Sequence, residues 1–171
     1  MITDSDLYQL AARAGARLHA ARRRMATAES CTAGWIAKTL TDVPGSSQWF
    51  ECGYVTYSDA AKMRDLGVAA RTLAQFGAVS EQTAREMAAG ALRVPRVSVV
   101  LAVTGIAGPD GGTPEKPVGT VWLCAAASHE EGTEVLAELR HFPGDRTAVR
   151  RRSVQDALEL LLRLDLREGA A

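Results

Sequence analysis

The stretch that most restricts the fold is Val97 to Val103, Val-Ser-Val-Val-Leu-Ala-Val. It is apolar and β-branched, without the alternation of a strand that shows one face to water, so it reads as a central strand covered on both sides. Such a strand needs helices above and below it, and the rest of the chain supplies them. Residues 4 to 23 carry Leu7, Leu10, Ala11, Ala14, Leu18 and Ala21 at the three-and-four spacing of an amphipathic helix, with Thr3 or Asp4 as cap. Arg24 to Ala28 reads as a first strand. After a turn at Ser30 comes a helix from Ala33 to Thr41, which Pro44 and Gly45 stop. The aromatic and β-branched run Trp49 to Tyr57 is a strand, and Ser58 caps a helix to Leu66 that Gly67 ends. A short helix near Thr72 to Phe76 and a longer one from Ser80 to Arg93 precede the central strand. Beyond it, Val118 to Ala127 and Val135 to Phe142 form a hairpin across a turn at Ser128 to Thr133. Asp145 caps a last helix with Val154, Ala157, Leu158, Leu161 and Leu162 on one stripe. This order predicts one α/β domain over residues 1–171, a three-layer α/β/α sandwich with a mixed, mostly parallel sheet.

Composition narrows the class of function. Formal net charge is zero, so nothing in the charge balance points to nucleic acid or an anionic membrane surface. The runs Arg22 to Arg24 and Arg150 to Arg152 read as solvated helix surface. There is no apolar stretch of the roughly 20 residues needed to span a bilayer, and the acidic start Met-Ile-Thr-Asp-Ser-Asp is unlike a signal peptide, so a cytoplasmic protein is expected. The cysteines Cys31, Cys52 and Cys124 are odd in number and widely spaced, which argues against a disulfide framework or a zinc site. Of the 20 basic residues only Lys38, Lys62 and Lys116 are lysine, the one of the two types that can lose its proton.

Two places carry chemistry. Ser30, Cys31 and Thr32 follow a strand and precede a helix, beside the unpaired N–H groups and partial positive charge of a helix start. Two readings stand there: a helix cap, or a nucleophile whose substrate develops an oxyanion. The histidines His19, His129 and His141 are poorly placed for a Ser-His-Asp triad, and the turn lacks the glycines of a nucleophile elbow. The base left for Ser30 is a lysine, and Lys62, one turn into its helix, faces the same end of the sheet. Its alternative is a surface charge. The second place is the loop Gly105 to Pro117, rich in glycine and proline, at the end of the central strand where ligands collect in open α/β sheets. It has neither a Walker pattern nor a dinucleotide fingerprint.

Ala-Glu-Ser-Cys-Thr-Ala-Gly, Gly-Tyr-Val-Thr-Tyr-Ser-Asp-Ala-Ala-Lys, Gly-Ala-Val-Ser, the block from Ala102 to Val121, and Phe-Pro-Gly-Asp-Arg together resemble the CinA C-terminal domain family, the PncC-type nicotinamide mononucleotide deamidases. The resemblance runs in register from about Leu7 to Leu162, with Thr32-Ala33-Gly34 where Thr-Gly-Gly is usual. It implies hydrolysis of the carboxamide of nicotinamide mononucleotide to nicotinate mononucleotide and ammonia by a Ser/Lys mechanism, without metal or cofactor. By position Ser30 matches the nucleophile, Lys62 the base and Tyr57 a supporting hydroxyl. Cys31, Thr32, Gly34, Thr104 and Gly105 are then expected around the oxyanion and substrate. Gly108, Gly111, Gly112, Thr113, Lys116 and Arg146 are expected around the phosphate. A homo-oligomer, a dimer or larger, is expected, with a small-molecule substrate as the only other partner. The competing class is a nucleotide-binding or regulatory module without catalysis, tied to competence or DNA damage, which has no need of a nucleophile beside a deprotonatable lysine.

Overall fold

The computed structural model describes residues 2–167. In chain order the elements are α1 (Asp4–Ala20), β1 (Met25–Glu29), α2 (Trp35–Thr41), β2 (Phe50–Val55), α3 (Asp59–Leu66), α4 (Ala70–Phe76), α5 (Glu81–Leu92), β3 (Val99–Gly105), β4 (Thr120–His129), β5 (Gly132–His141) and α6 (Arg146–Leu161). Strand order is β2-β1-β3-β4-β5. The β1–β2 and β1–β3 pairs are parallel, whereas β3–β4 and β4–β5 are antiparallel. The sheet is therefore mixed, and four of its five strands point the same way with β4 opposed.

The central run behaves as its composition requires. Val99, Leu101 and Val103 enter one core with α1, α2 and α6, while Val100 and Ala102 enter a second core with α5. The first core is mainly leucine and valine; the second is largely alanine, which lets helices on that side lie close. Gly90 marks the tightest approach, since a Cβ there would meet the Leu66 carbonyl oxygen at 2.1 Å. The missing side chain lets the last turn of α3 pack against α5.

Helix ends follow local chemistry. Thr3 and Asp6 form a reciprocal capping box, and Ser58, Ser80 and Asp145 each accept from a backbone N–H of the turn they start. Gly67 closes α3 at φ 66°, a left-handed position that costs glycine little.

Three expectations are corrected. Helix α1 ends at Ala20, Arg22 turns left-handed at φ 54°, and Arg23 is buried with its guanidinium on the Ser128 and Arg167 carbonyls at 2.6 and 3.0 Å. The first arginine run is thus not helix surface. The hairpin turn shrinks to Glu130 and Glu131, because ladder bonds continue past the apolar residues through His129 and Gly132. Helix α2 starts at Trp35, after Ala33 at φ 51° and Gly34 at φ 88°. Among the described residues no helix is long and apolar enough to cross a membrane.

Candidate active site

Strand β1 lies between β2 and β3, and the chain leaves it through α2 on one face and returns from β2 to β3 through α3, α4 and α5 on the other. Opposed connections at one strand end open a crevice there. Ser30 is the first residue beyond β1, and its amide still donates to the Val103 carbonyl at 2.9 Å, extending the ladder by one bond. The Thr56 amide does the same toward Glu29 O on the other side at 2.9 Å. The carboxyl ends of three parallel strands therefore converge on Ser30.

Lys62 reaches this point from the first turn of α3. Its Nζ lies 3.1 Å from Ser30 Oγ, 3.0 Å from Thr56 O and 3.1 Å from Tyr57 O, and the side chain is 1% exposed. All three partners are neutral. Burial lowers the Lys62 pKa below the usual lysine range; the nearby Asp59 and Cys31 oppose that shift only in part. In its neutral form the amine would have two N–H bonds for the two carbonyls and a lone pair left for Ser30 Oγ. The adjacent thiol is different. Burial pushes the Cys31 pKa up to about 12, so Cys31 stays protonated and is a poor nucleophile.

The turn that carries Ser30 is held from two sides. Glu29, fully buried at the end of β1, accepts from the amides of Gly34 and Ile36 at 3.0 Å and of Ala37 at 2.8 Å. Gly34 has no side chain to cap α2, and this carboxylate takes over that task. From α6, Arg150 donates to Cys31 O at 3.0 Å and Thr32 O at 2.9 Å, with its guanidinium 5.3 Å from the Trp35 ring centre. The amides of Cys31 and Thr32 donate to no other described residue, although both residues are buried.

A cleft of about 180 Å³ opens here, lined by Ser30, Cys31, Tyr57, Lys62, Ala78, Val79, Thr104, Gly105, Ala107 and Arg146. Gly105 is required by close approach, since a Cβ would meet Val121 Cγ2 at 2.7 Å and Thr120 O at 2.9 Å. A larger hollow of about 640 Å³ at the opposite end of the sheet, among Arg22, Arg96, His129 and Arg167, does not reach Ser30 or Lys62. Chemistry, not size, locates the site.

Several expected contacts are absent. Gly34 cannot serve an oxyanion, because its amide is taken by Glu29. Tyr57 touches Lys62 through its main-chain carbonyl; the residue is 58% exposed and its hydroxyl accepts from Arg146 at 3.1 Å. Thr104 lines the cleft, yet its hydroxyl is spent on Ala78 O at 2.8 Å. Lys116 turns away from the loop it belongs to, its Nζ donating to Phe76 O at 2.7 Å and Val79 O at 2.8 Å. The Thr113 amide is used within its own loop, on Lys116 O at 2.9 Å. Gly111, Gly112 and Thr113 lie in exposed loop outside the cleft lining, and Gly108 contributes a carbonyl that accepts from Arg146 at 2.7 Å. Of the six residues expected around a phosphate, only Arg146 lines the cleft.

Arg150 is a site element outside every block quoted from the sequence, while Glu29 and Ala78-Val79 lie within two of those blocks and were given no role there. Glu29 had a signal, as the one acid in a strand otherwise made of Met, Ala and Thr. Arg150 had none, because its run looks like the exposed face of a helix.

A family profile described as the CinA C-terminal domain matches residues 7–164. The chain is 51% identical over 160 residues to the nicotinamide-nucleotide amidohydrolase PncC of Escherichia coli strain K12, covering 94% of this chain and 95% of that protein. It is also 51% identical over 155 residues to the nicotinamide-nucleotide amidohydrolase PncC of Pseudomonas putida, covering 91% and 94%. Among solved structures, the competence/damage inducible protein CihA of Agrobacterium tumefaciens superposes with a TM-score of 0.88 at 44% identity, over 95% of this chain and 96% of that one.

Proposed function

The chain belongs to the CinA C-terminal domain family, and we propose that it hydrolyses the carboxamide of nicotinamide mononucleotide by a Ser30/Lys62 mechanism. It is an amidohydrolase, as its PncC relatives are named. The observation that carries the mechanism is the 3.1 Å contact between Lys62 Nζ and Ser30 Oγ in a buried setting where every partner of the amine is neutral.

Neutral Lys62 takes the Ser30 proton, and the alkoxide attacks the carboxamide carbon. The oxyanion of the tetrahedral adduct is held by the Cys31 and Thr32 amides, whose peptide planes are preset from their carbonyl sides, Ser30 O accepting from the Ala33 amide at 3.1 Å and Cys31 O from Arg150 at 3.0 Å. The Lys62 ammonium gives its proton to the carboxamide nitrogen, the C–N bond breaks and ammonia departs. Water, deprotonated by Lys62, then attacks the acyl-serine, and Lys62 passes that proton to Ser30 Oγ as the acid leaves, which restores the starting hydroxyl and amine. The cleft suits the pyridine carboxamide end of the substrate, being smaller than the ~300–1,000 Å³ of pockets that enclose larger ligands. Ribose and phosphate then extend past exposed Tyr57 toward Arg146 at the mouth.

The test is ammonia release from the purified chain given nicotinamide mononucleotide, with Ser30→Ala as control. No release from the wild type overturns the reading, and a non-catalytic binding module would behave that way. Arg146→Ala is expected to raise KM about tenfold or more with a smaller change in kcat, the signature of a lost charge-assisted contact remote from the reacting bond.

A further inference from the structure

The Gly77-Ala78-Val79-Ser80 segment, between α4 and α5, has no part in the mechanism above. Its construction is unusual, because four successive carbonyls are all taken by side-chain donors. Lys116 Nζ holds Phe76 O and Val79 O at 2.7 and 2.8 Å. Ser80 Oγ and Thr83 Oγ1 hold Gly77 O at 3.0 and 2.8 Å, and Thr104 Oγ1 holds Ala78 O at 2.8 Å. In a trans peptide unit the N–H points opposite to the C=O. Fixing the Gly77 and Ala78 carbonyls therefore fixes the Ala78 and Val79 amides on the other side of each plane. Neither amide donates to any other described residue, and both residues line the cleft. Backbone donors left unpartnered in a rigid, half-buried loop are places for a ligand oxygen. The Lys116 ammonium has no carboxylate within salt-bridge reach among the described residues, so its positive charge beneath the loop adds to the attraction for an anion.

We propose that this segment is a second donor wall of the cleft, whose Ala78 and Val79 amides take an anionic oxygen of the ligand, with Lys116 as the positioning residue that holds the wall in place. The identity of the ligand rests on the deamidase reading; the donor wall itself does not. Lys116 thereby acts through the loop and touches no substrate atom.

The test replaces the Val79 amide by an ester, using the α-hydroxy analogue of valine in the full chain, which deletes one donor and keeps the side chain. Calorimetry with nicotinate mononucleotide and nicotinate riboside reads binding without turnover, and circular dichroism confirms that the chain remains folded. Affinity is expected to fall about tenfold, the scale of one hydrogen bond to a charged group. A loss with both ligands assigns the donors to the carboxylate end, and a loss with the mononucleotide alone assigns them to phosphate. Lys116→Met should follow the pattern of the ester; a different pattern overturns the positioning role. Unchanged affinities in a folded ester protein, or no affinity of the wild type for either anion, overturn the donor wall. A wild type that releases no ammonia but loses anion affinity on the ester change overturns the deamidase reading and leaves the wall standing.

Discussion

Two buried ionisable side chains flank Ser30, and the fold surrounds them in opposite ways. Glu29 ends β1 under the start of α2, and three amides from the positive end of that helix converge on its carboxylate. Lys62 sits across the strand ends with two carbonyls and one hydroxyl, and among the described residues no carboxylate lies within salt-bridge distance. Burial is the same. What differs is whether the neighbours answer the charge, and that difference separates a group that holds the turn from one that, in the mechanism we propose, moves a proton.

The largest expected effect tests the lysine side of this contrast. Ser30→Ala and Lys62→Ala should each lower kcat by about 10³-fold or more, and the double variant little further, because residues acting as a unit are not additive. Lys62→Arg should be as inactive as Lys62→Ala, since guanidinium keeps its proton at any working pH. Cys31→Ala should keep most activity, in line with its protonated thiol. The rate should rise with pH on a limb that lies below the ordinary lysine range, the direction in which burial moves Lys62. Multiplying losses in the double variant, or an active Lys62→Arg enzyme, would break the pairing.

The next effect tests the glutamate side. Glu29→Ala leaves three amides at the head of α2 without an acceptor, at about 1–3 kcal/mol for each unsatisfied group, less what water recovers. A net loss of about 3 kcal/mol is expected, a drop in Tm of roughly 6–12 °C for a chain of this size. Activity should fall as well, because Gly34 and the turn before it lose their anchor. A melting temperature within about a degree of wild type would show that the carboxylate is not the cap of α2.

The smallest effect has the opposite sign and sharpens the comparison most. Because the folded chain lowers the Lys62 pKa below its ordinary 10.5, the unfolded chain binds the extra proton between the two values. Stability therefore rises with pH across that window, and at neutral pH the buried amine is a burden. Lys62→Met should raise stability by about 1 kcal/mol at pH 7, with the advantage shrinking as the pH approaches 10. Urea titrations of both proteins at the two pH values check this. A destabilised Lys62→Met at neutral pH would mean that the two carbonyls matter more to the fold than the buried amine costs it.

These outcomes bear on what was readable in advance. Element order, the two-sided burial of the Val97 to Val103 run and the caps at Thr3, Ser58, Gly67, Ser80 and Asp145 depend on neighbours within about one helical turn or on simple periodicity, so the sequence by itself determined them. It also determined that Ser30 stands between a strand and a helix. Only the tertiary structure decided the partners. Glu29 stood just past a strand read as ending at Ala28 until α2 packed over it, and Arg150 looked like surface until α6 brought it, 119 residues along the chain, to the Cys31 carbonyl. Lys62 and Lys116 were equal candidates by composition. One was carried by α3 to Ser30, 32 residues away, and the other was spent 40 residues away on Phe76 O, because a side chain of many rotamers goes where the packing of distant elements leaves acceptors unpaired.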